Sequence, residues 1–488
     1  MISITFDASW WLILVFIFDL VVRIAAIIIV PRNRRPTSAM AWLLAIYFIP
    51  LLGVLLFLLI GNPRLPRARR RKQARINERI RDITTALGTG SLRPDPPEWF
   101  TSLVTLNTRL GAMPLTGDNS AHLIPGYQDS LDAMADAIRK AEQYVHVEFY
   151  ILQTDASTDG FFRALEEVCA RGVTVRVLLD HWANRGKPFY RKTLKRLDAM
   201  GAKWQLMLPV QPFRGRYQRP DLRNHRKLLV IDGSVAFMGS QNVTDSSYNL
   251  KKNIKRGLHW VDLMARLEGP VVASINAVFL SDWYSETDES LTDEVSLEGV
   301  ESSTGDLDCQ IVPSGPGFEF ENNLRLFAGL MYAAQHKIII VSPYFVPDEA
   351  MLLAITTACH RGLHVELFVS EEGDQALVYH AQRSYYEVLL KAGVKIWMYR
   401  KPFILHSKSM TIDDQVAIIG SSNMDMRSFG LNMEISMLVR GEEFIDEMRI
   451  VEATYRDLSR ELTLEEWEKQ SLGSTVLDNL ARLTSALQ

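Results

Sequence analysis

Two copies of one short pattern carry residue types that can act on a phosphate ester. The first copy is His225-Arg-Lys227-Leu-Leu-Val-Ile-Asp232, and the second is His406-Ser-Lys408-Ser-Met-Thr-Ile-Asp413. Most residues between each Lys and its Asp are β-formers, so we expect each copy to lie on a strand. Side chains two residues apart on a strand point to the same face. The His and the Lys of one copy can therefore reach the same phosphate.

These residue types match the needs of phosphodiester exchange. A neutral imidazole can attack phosphorus and form a phosphohistidine. A second, protonated imidazole can give its proton to the leaving alcohol, which contributes roughly 10²–10⁴-fold. Two ammonium groups can stabilise the charge on the non-bridging oxygens. We therefore predict a catalytic set that needs neither a metal nor another cofactor, consisting of His225, Lys227, Asp232, His406, Lys408 and Asp413.

Each copy is followed by a Gly-Ser-x-Asn tail at the same spacing. Hydroxyl and amide groups that follow a glycine can add hydrogen bonds to phosphate oxygens. We therefore predict four phosphate-binding residues, namely Ser240, Asn242, Ser421 and Asn423.

A carboxylate follows each tail in a short β-like run. An imidazole that acts as base or acid needs a partner that orients its other nitrogen. We predict that Asp262 and Glu434 supply these partners. The alternative is that both are ordinary charges at strand ends.

The motifs belong to a larger internal repeat, which indicates the elements that position them. Segment 141–151 matches 334–344, segment 171–179 matches 361–369, and segment 201–204 matches 393–397. Each of these reads as a helix end followed by a strand, and alternating helices and strands indicate an α/β fold. The chain should thus contain two α/β domains related by a pseudo-twofold axis. Each would give one His and one Lys to a shared site.

Composition divides the chain into five parts. Residues 1–62 hold two apolar runs, and residues 63–104 are predicted to be a basic helix and a linker. The two domains are placed at 105–285 and 309–488, the second with a C-terminal helix. Residues 286–308 contain nine acidic side chains and are predicted to form a solvated loop between the domains.

The two apolar runs predict a membrane segment. The first, 10–30, contains Asp19 and Arg23, which could pair on one helix face. The second, 40–60, has no charge and is the stronger span; the alternative is a hairpin that dips into one leaflet. Six basic residues in 64–72 favour a cytoplasmic body, whereas three in the loop 31–37 oppose it.

Residues 1–82 hold thirteen Arg or Lys against four Asp or Glu, which suggests contact with anionic lipid. A second group of five arginines precedes and enters the first motif: Arg214, Arg216, Arg219, Arg223 and Arg226. Because guanidinium groups suit phosphate, we predict that this second group recognises a headgroup. The alternative is a solvated basic loop.

The paired motifs resemble the phospholipase D superfamily over about residues 110–450. The membrane segment is similar to that of bacterial cardiolipin synthases in Arg35-Pro-Thr-Ser-Ala-Met-Ala-Trp42 and in Pro50-Leu-Leu-Gly53 through Gly61-Asn62. Segments 219–227 and 423–434 are similar to that family as well. The resemblance implies two α/β/α sandwiches with the site at their interface, preceded by a membrane helical hairpin. It also implies a multi-pass protein of the bacterial inner membrane with cytoplasmic catalytic domains.

The same resemblance implies a reaction. A phosphatidyl group would pass from one phosphatidylglycerol of the bilayer to another through a phosphohistidine, giving cardiolipin and glycerol. His225 would attack and His406 would act as the acid, with the reverse assignment still open. The alternatives are a hydrolytic phospholipase D, a phosphatidyltransferase with another donor or acceptor, a nuclease-type phosphodiesterase, and a lipid-binding scaffold. The apolar runs and the acidic body argue against a nucleic acid partner, and intact motifs argue against a scaffold. The sequence leaves the oligomeric state open.

Overall fold

The computed structural model describes residues 8–32, 34, 36–61, 64–67, 69–73, 75–76, 78, 90–111, 113–211, 213, 216–291 and 305–483. Its helices are α1 (Ala8–Ile29), α2 (Pro36–Phe48), α3 (Pro50–Ile60), α4 (Glu98–Leu110), α5 (Tyr127–Arg139), α6 (Asp159–Ala170), α7 (His181–Arg185), α8 (Tyr190–Ala199), α9 (Lys251–Arg256), α10 (Val271–Thr287), α11 (Asn322–Ala333), α12 (Glu349–His360), α13 (Ala376–Arg383), α14 (Tyr386–Ala392), α15 (Met426–Gly430), α16 (Glu442–Asp457), α17 (Leu464–Glu468) and α18 (Leu472–Arg482).

Its strands are β1 (Thr116–Ile124), β2 (Tyr144–Phe149), β3 (Thr174–Asp180), β4 (Lys203–Met207), β5 (Val210–Gln211), β6 (Arg216–Tyr217), β7 (Arg223–Asn224), β8 (Lys227–Ile231), β9 (Val235–Gly239), β10 (His259–Val261), β11 (Met264–Glu268), β12 (Leu307–Ser314), β13 (Lys337–Val341), β14 (Phe345–Val346), β15 (His364–Ser370), β16 (Lys395–Tyr399), β17 (Phe403–Leu405), β18 (Ser409–Ile412), β19 (Val416–Gly420), β20 (Met424–Asp425), β21 (Asn432–Arg440) and β22 (Ser459–Leu462). The chain divides into two units, residues 1–64 with 219–221, and residues 65–218 with 222–488.

The first unit contains the three apolar helices. Among the described residues, one stretch, Trp10–Ile29 of α1, is long and apolar enough to cross a membrane. At about 1.5 Å per residue, its 20 residues match the roughly 30 Å of a hydrocarbon core. The predicted pairing inside this run is confirmed, because Arg23 Nε donates to Asp19 Oδ2 at 2.6 Å. The two charges therefore neutralise each other within the helix.

The second apolar run is not a single helix, and the prediction of one span over residues 40–60 is wrong. The helix stops before Pro50, because a proline disfavours helical geometry in the residue before it. α3 then folds back on α2, so that the rings of Trp42 and Phe57 lie 5.5 Å apart. Gly53 permits this approach, since a Cβ there would lie 2.6 Å from the carbonyl oxygen of Ala45. With 13 and 11 residues, α2 and α3 are each too short to span, which agrees with the hairpin alternative.

The second unit is built on one continuous sheet that contains the repeat twice. In order across the sheet, the first half contains β4-β3-β2-β8-β9-β11-β1, and the second half continues with β12-β21-β19-β18-β13-β15-β16-β22. The seven strands of the first half correspond in order to β16-β15-β13-β18-β19-β21-β12 of the second. The halves join where β1 pairs antiparallel with β12, with Thr116 opposite Cys309. The predicted duplication is confirmed, and the two halves share a sheet instead of forming separate sandwiches.

Helices cover both faces of this sheet, as expected for an α/β/α fold. In β8, Leu228 and Val230 face one hydrophobic core while Leu229 and Ile231 face another, as the two-residue period of a strand requires. One core packs α5, α6 and α8 on the first half, and another packs α11, α12 and α14 on the second. The third core lies under α10 and α16 and contains side chains of both halves. It therefore makes the two halves one folded body.

Several predicted boundaries differ from the structure. The border at 104/105 falls inside α4, whose Phe100 and Leu103 pack in the core of the second half. Residues 79–89 of the predicted basic helix and linker, and 292–304 of the predicted acidic loop, lie outside the described residues. The first and last residues of that predicted loop are not solvated, because Glu286 pairs with Arg69 and Asp308 lies in β12 with Arg440 at 2.8 Å.

Candidate active site

Each motif histidine is positioned by a short strand that docks on the opposite half of the sheet. β7, just before His225, pairs parallel with β21 of the second half, and β17, just before His406, pairs parallel with β10 of the first. The His225 amide donates to Met433 O at 2.9 Å, and the His406 amide donates to Val261 O at 2.7 Å. The two histidines thus meet at the seam between the repeats.

The carboxylates that orient the histidines are crossed between the halves. His225 Nδ1 donates to Glu434 at 3.0 Å, and His406 Nδ1 donates to Asp262 at 2.7 Å. The structure thus brings both predicted carboxylates to the histidines, but each one faces the histidine of the other motif. An Nδ1–H held by a carboxylate leaves the lone pair on Nε2 directed into the site. Spacing along the chain gives no signal for this crossing.

The two serines of the Gly-Ser-x-Asn tails hold these carboxylates, which corrects the prediction that they bind phosphate. Ser240 Oγ donates to Asp262 at 2.6 Å and accepts from the Leu263 amide at 3.0 Å. Ser421 Oγ donates to Glu434 and accepts from the Ile435 amide at 3.0 Å. Each hydroxyl therefore ties a carboxylate to the strand behind it.

The two asparagines differ in how their amides are used. Asn242 accepts from the Ile151 amide at 3.0 Å and donates to the Tyr248 hydroxyl at 2.8 Å. The buried amide oxygen of Asn423 has no hydrogen-bond partner among the described residues. Asn242 therefore uses both its amide oxygen and its amide nitrogen in the framework, whereas the amide oxygen of Asn423 is free to accept a hydrogen bond.

The motif lysines are buried beside the histidines. Lys227 Nζ donates to the His225 carbonyl at 2.5 Å, and Lys408 Nζ donates to the His406 carbonyl. Burial lowers the pKa of Lys227 well below its ordinary value, and the charge of Lys408 lowers it further against the attraction of Glu434. Burial lowers the pKa of Lys408 to about 8, against the attraction of Asp262 and Glu434. An anion bound between the two lysines would stabilise both of them in their charged forms.

Burial is also the largest influence on the histidines, and it lowers the pKa of His225 and of His406 to about 4. The facing carboxylates oppose this shift, while the lysines of both motifs add to it. Both imidazoles are therefore neutral at neutral pH. A phosphodiester anion bound between them would raise the pKa of both.

The motif aspartates lie away from this chemistry, so their predicted catalytic role is wrong. Asp232 accepts hydrogen bonds from the backbone amides of residues 142, 143 and 144, and Asp413 accepts from those of 335, 336 and 337. Each lies five residues beyond its Lys on the strand, which at about 3.3 Å per residue is roughly 17 Å. Both occupy positive-φ turn positions and anchor the start of the neighbouring strand.

Three tyrosines surround the histidines, and none was predicted. The ring of Tyr150 lies 4.8 Å from that of His225, and the rings of Tyr248 and Tyr344 lie 6.3 and 6.4 Å from that of His406. Tyr150 and Tyr344 each end a repeated strand segment, which is a usable sequence signal because site residues gather at strand ends. Tyr248 lies in an irregular loop and has no such signal.

Two of the predicted headgroup arginines are buried in ion pairs instead. Arg223 pairs with Asp180 at 3.1 Å, and Arg226 pairs with Asp282 and donates to the Glu434 carbonyl at 3.1 Å. The predicted headgroup role is wrong for both, because they fix the strand that leads into His225. Arg214 lies outside the described residues.

Among the described residues, one group of side chains could hold a metal ion, and it includes none of the motif residues. It consists of His122, Glu443 and Glu447, whose candidate ligand atoms lie within 4.8 Å of one another. The group lies on β1 and α16, and two of its members are exposed.

Comparison with known proteins agrees with this geometry. The family model described as "Cardiolipin synthase, PLD-like domain" matches residues 134–283 and 328–451, one match in each half of the sheet. The model "Phospholipase_D-nuclease N-terminal" matches residues 12–62, which cover α1, α2 and α3. Phosphatidylserine synthase of Haemophilus influenzae Rd KW20 has the same fold, with a TM-score of 0.60 at 14% identity, over 80% of this chain and 100% of its own. The fold is therefore that of the phospholipase D class.

Relatives with curated names show which family within this class the chain belongs to. Cardiolipin synthase A of Proteus mirabilis (strain HI4320) is 33% identical over 93% of this chain and 94% of its own. Cardiolipin synthase A of Yersinia pseudotuberculosis serotype IB (strain PB1/+) is 33% identical over 98% of each chain. The chain belongs to the family of phospholipase D-like cardiolipin synthases. Its N-terminal match and the length of α1 identify it as a membrane protein.

Proposed function

We propose that the protein transfers a phosphatidyl group from one phosphatidylglycerol to another, giving cardiolipin and glycerol. The observation that carries this proposal is the crossed pair of neutral histidines, each oriented by a carboxylate of the opposite half beside two buried lysines. The names of the relatives support the choice of lipid.

In the first half-reaction, His225 Nε2 attacks the phosphorus of the donor, so that a P–N bond forms and the P–O bond to glycerol breaks. The departing oxygen takes a proton from His406. That proton is present because the bound phosphodiester raises the pKa of His406 and Asp262 stabilises the imidazolium. Lys227 and Lys408 stabilise the charge on the non-bridging oxygens.

In the second half-reaction, a hydroxyl of the acceptor lipid attacks the same phosphorus. The P–N bond to His225 breaks, a new P–O bond forms, and His406 Nε2 takes the hydroxyl proton. The enzyme returns to its starting state, so donor and acceptor alcohols use the same acid–base group in turn.

The surroundings of the two histidines favour His225 as the nucleophile and His406 as the acid–base group. Tyr344 and Ile404 line a small pocket, and the Tyr344 ring lies 6.4 Å from the ring of His406. An acid–base group must meet both the leaving and the entering alcohol, and we assign this role to His406 because it lies on the side of the pocket. His225 is held more closely, since its Nδ1 also lies 3.1 Å from the Ser421 carbonyl oxygen.

A product assay tests the reaction. Purified protein in mixed micelles with labelled phosphatidylglycerol should give cardiolipin and equimolar glycerol. Phosphatidic acid as the sole lipid product would mean that water is the acceptor, and it would contradict the proposal in favour of a hydrolytic phospholipase D.

Trapping the covalent intermediate tests the assignment of roles. A donor whose leaving group needs no proton should still form an acid-labile phosphoenzyme with His406→Ala, because His225 is intact. His225→Ala should form none. The opposite result would exchange the roles of the two histidines.

We propose further that α1 crosses the membrane once and that α2 and α3 form a re-entrant hairpin. Such a hairpin leaves the basic loop 31–35 and the basic segment that starts at Arg64 on the same side. Both groups of basic residues then indicate that this side is the cytoplasm. Two spans would instead place them on opposite sides of the membrane, where they would indicate opposite orientations. In a variant without native cysteines, Asn33→Cys should resist an impermeant maleimide in right-side-out vesicles, whereas Ser3→Cys should react. Labelling of position 33 in those vesicles would contradict this topology.

A further inference from the structure

Two lysines of the first half lie at the edge of the site on the side of His406. Lys187 Nζ lies 5.4 Å from the centre of the Tyr248 ring, and that ring lies 6.3 Å from the ring of His406. Lys252 Nζ donates to the Asp374 carbonyl at 3.3 Å. The two lysines are close enough that the charge of Lys252 lowers the pKa of Lys187, although burial is the larger cause.

The second half contributes hydroxyl and carboxylate groups to the same place. The Tyr344 hydroxyl donates to both carboxylate oxygens of Asp374 at 3.1 Å and accepts from Gln375 Nε2 at 3.2 Å. All three residues line the pocket beside His406. Burial is the main cause of the raised pKa of Asp374, so a partner that donates hydrogen bonds would stabilise its charged form.

The transfer chemistry uses none of these groups. The Lys187 side chain is partly buried against Tyr248, and the nearby charge of Asp374 offsets only part of the effect of this burial on its pKa. A partly desolvated ammonium whose charge is incompletely balanced is stabilised when it binds an anion. The cluster therefore combines two cations, which suit a phosphate, with a carboxylate and a phenol, which suit hydroxyl groups.

We propose that this cluster is the binding subsite for the acceptor lipid: Lys187 and Lys252 bind its phosphate, and Tyr344 and Asp374 hold its glycerol headgroup. The reactive hydroxyl of the acceptor and its own phosphate lie at opposite ends of a three-carbon glycerol. With the hydroxyl at His406, the phosphate extends across the face of Tyr248 to the two lysines. The inference rests on the proposed function and deepens it, because it explains how the enzyme chooses a phospholipid over water or a free alcohol.

The experiment compares two acceptors that differ in the phosphate. Full-length protein in phosphatidylglycerol micelles makes cardiolipin, and with added labelled glycerol it should also exchange the headgroup of the donor. Lys187→Gln and Lys252→Gln should each lower the rate of cardiolipin formation about tenfold or more. Both should leave glycerol exchange within about twofold, because free glycerol carries no phosphate to bind. The double variant should show a larger change in the ratio of the two rates.

Lys251→Gln is the matched control for Lys252→Gln, since it removes the same charge from the same helix at an exposed position. It should leave the ratio unchanged. If Lys187→Gln and Lys252→Gln leave the ratio of cardiolipin formation to glycerol exchange unchanged, or lower both rates equally, the proposed subsite is wrong. The proposed function would not be affected by that result. A wild-type protein that exchanges glycerol but makes no cardiolipin would overturn the proposed function, and with it the subsite.

Discussion

At the scale of single residues, burial lowers the pKa values of the lysines and histidines of the site and so decides which of them are charged. The pKa of Lys408 is lowered to about 8, so in the free enzyme this ammonium loses its proton within reach of ordinary alkaline buffers. Because kcat/KM reports the protonation state of the free enzyme, it should fall above about pH 8 as the cation is lost. Initial rates with phosphatidylglycerol micelles between pH 6 and about 10 check this expectation. The pH profile of the residual activity of Lys408→Gln should lose the step near pH 8, and a wild-type profile that stays flat would contradict the assignment.

The crossed carboxylates give a second prediction at this scale. Asp262→Asn should lower kcat roughly 10²–10⁴-fold with phosphatidylglycerol, because the imidazolium of His406 loses its stabilising charge. A donor whose leaving group needs no proton should recover much of the lost rate of phosphoenzyme formation. Glu434→Gln should not be rescued in this way, since Glu434 orients the attacking His225. Single-turnover kinetics with both donors distinguish the variants, and equal rescue of the two would contradict the crossed assignment.

At the scale of elements, the motif aspartates connect strands instead of taking part in the reaction. Asp232→Asn leaves one amide oxygen to accept from three backbone N–H groups. Hydrogen bonds to a charged group contribute about 1.5–3 kcal/mol, and because the amides of residues 142 and 143 are exposed, the melting temperature should fall by a few degrees at most. Asp413→Asn, its counterpart in the second half, should behave alike. Activity per folded molecule at low temperature should stay near wild type, and a large loss of kcat without a change in thermal unfolding would restore the catalytic interpretation.

The sequence predicted residue types and local elements better than long-range pairings. The duplicated sheet and the paired histidines follow from strand periodicity and identical motif spacing, which are local signals. The crossing of Asp262 and Glu434 depends on β7 meeting β21 and β10 meeting β17, and these contacts join segments far apart in the chain. Similarly, the apolar composition of residues 40–60 indicates a membrane segment, but only the backbone effect of Pro50 decides that it forms two helices.

At the scale of the whole molecule, the two repeats form one catalytic body. β1 pairs with β12 across the seam, α16 of the second half lies against β1, and one hydrophobic core contains side chains of both repeats. Neither half holds a complete histidine–carboxylate pair, because each histidine is oriented from the other side. Duplication therefore produced a site that exists only when both copies are folded together.

This interdependence predicts that the peptide connection between the halves is dispensable once the protein has folded. A protease site inserted between residues 292 and 304 would allow cleavage of the purified protein into two fragments. The shared sheet and core should keep the fragments together in detergent, and phosphatidyl transfer should continue at close to the uncut rate. Size-exclusion chromatography and the product assay, before and after cleavage, check both statements. Fragments that separate without denaturant would show that the linker, and not the seam, holds the site together, and the inserted but uncut protein is the control.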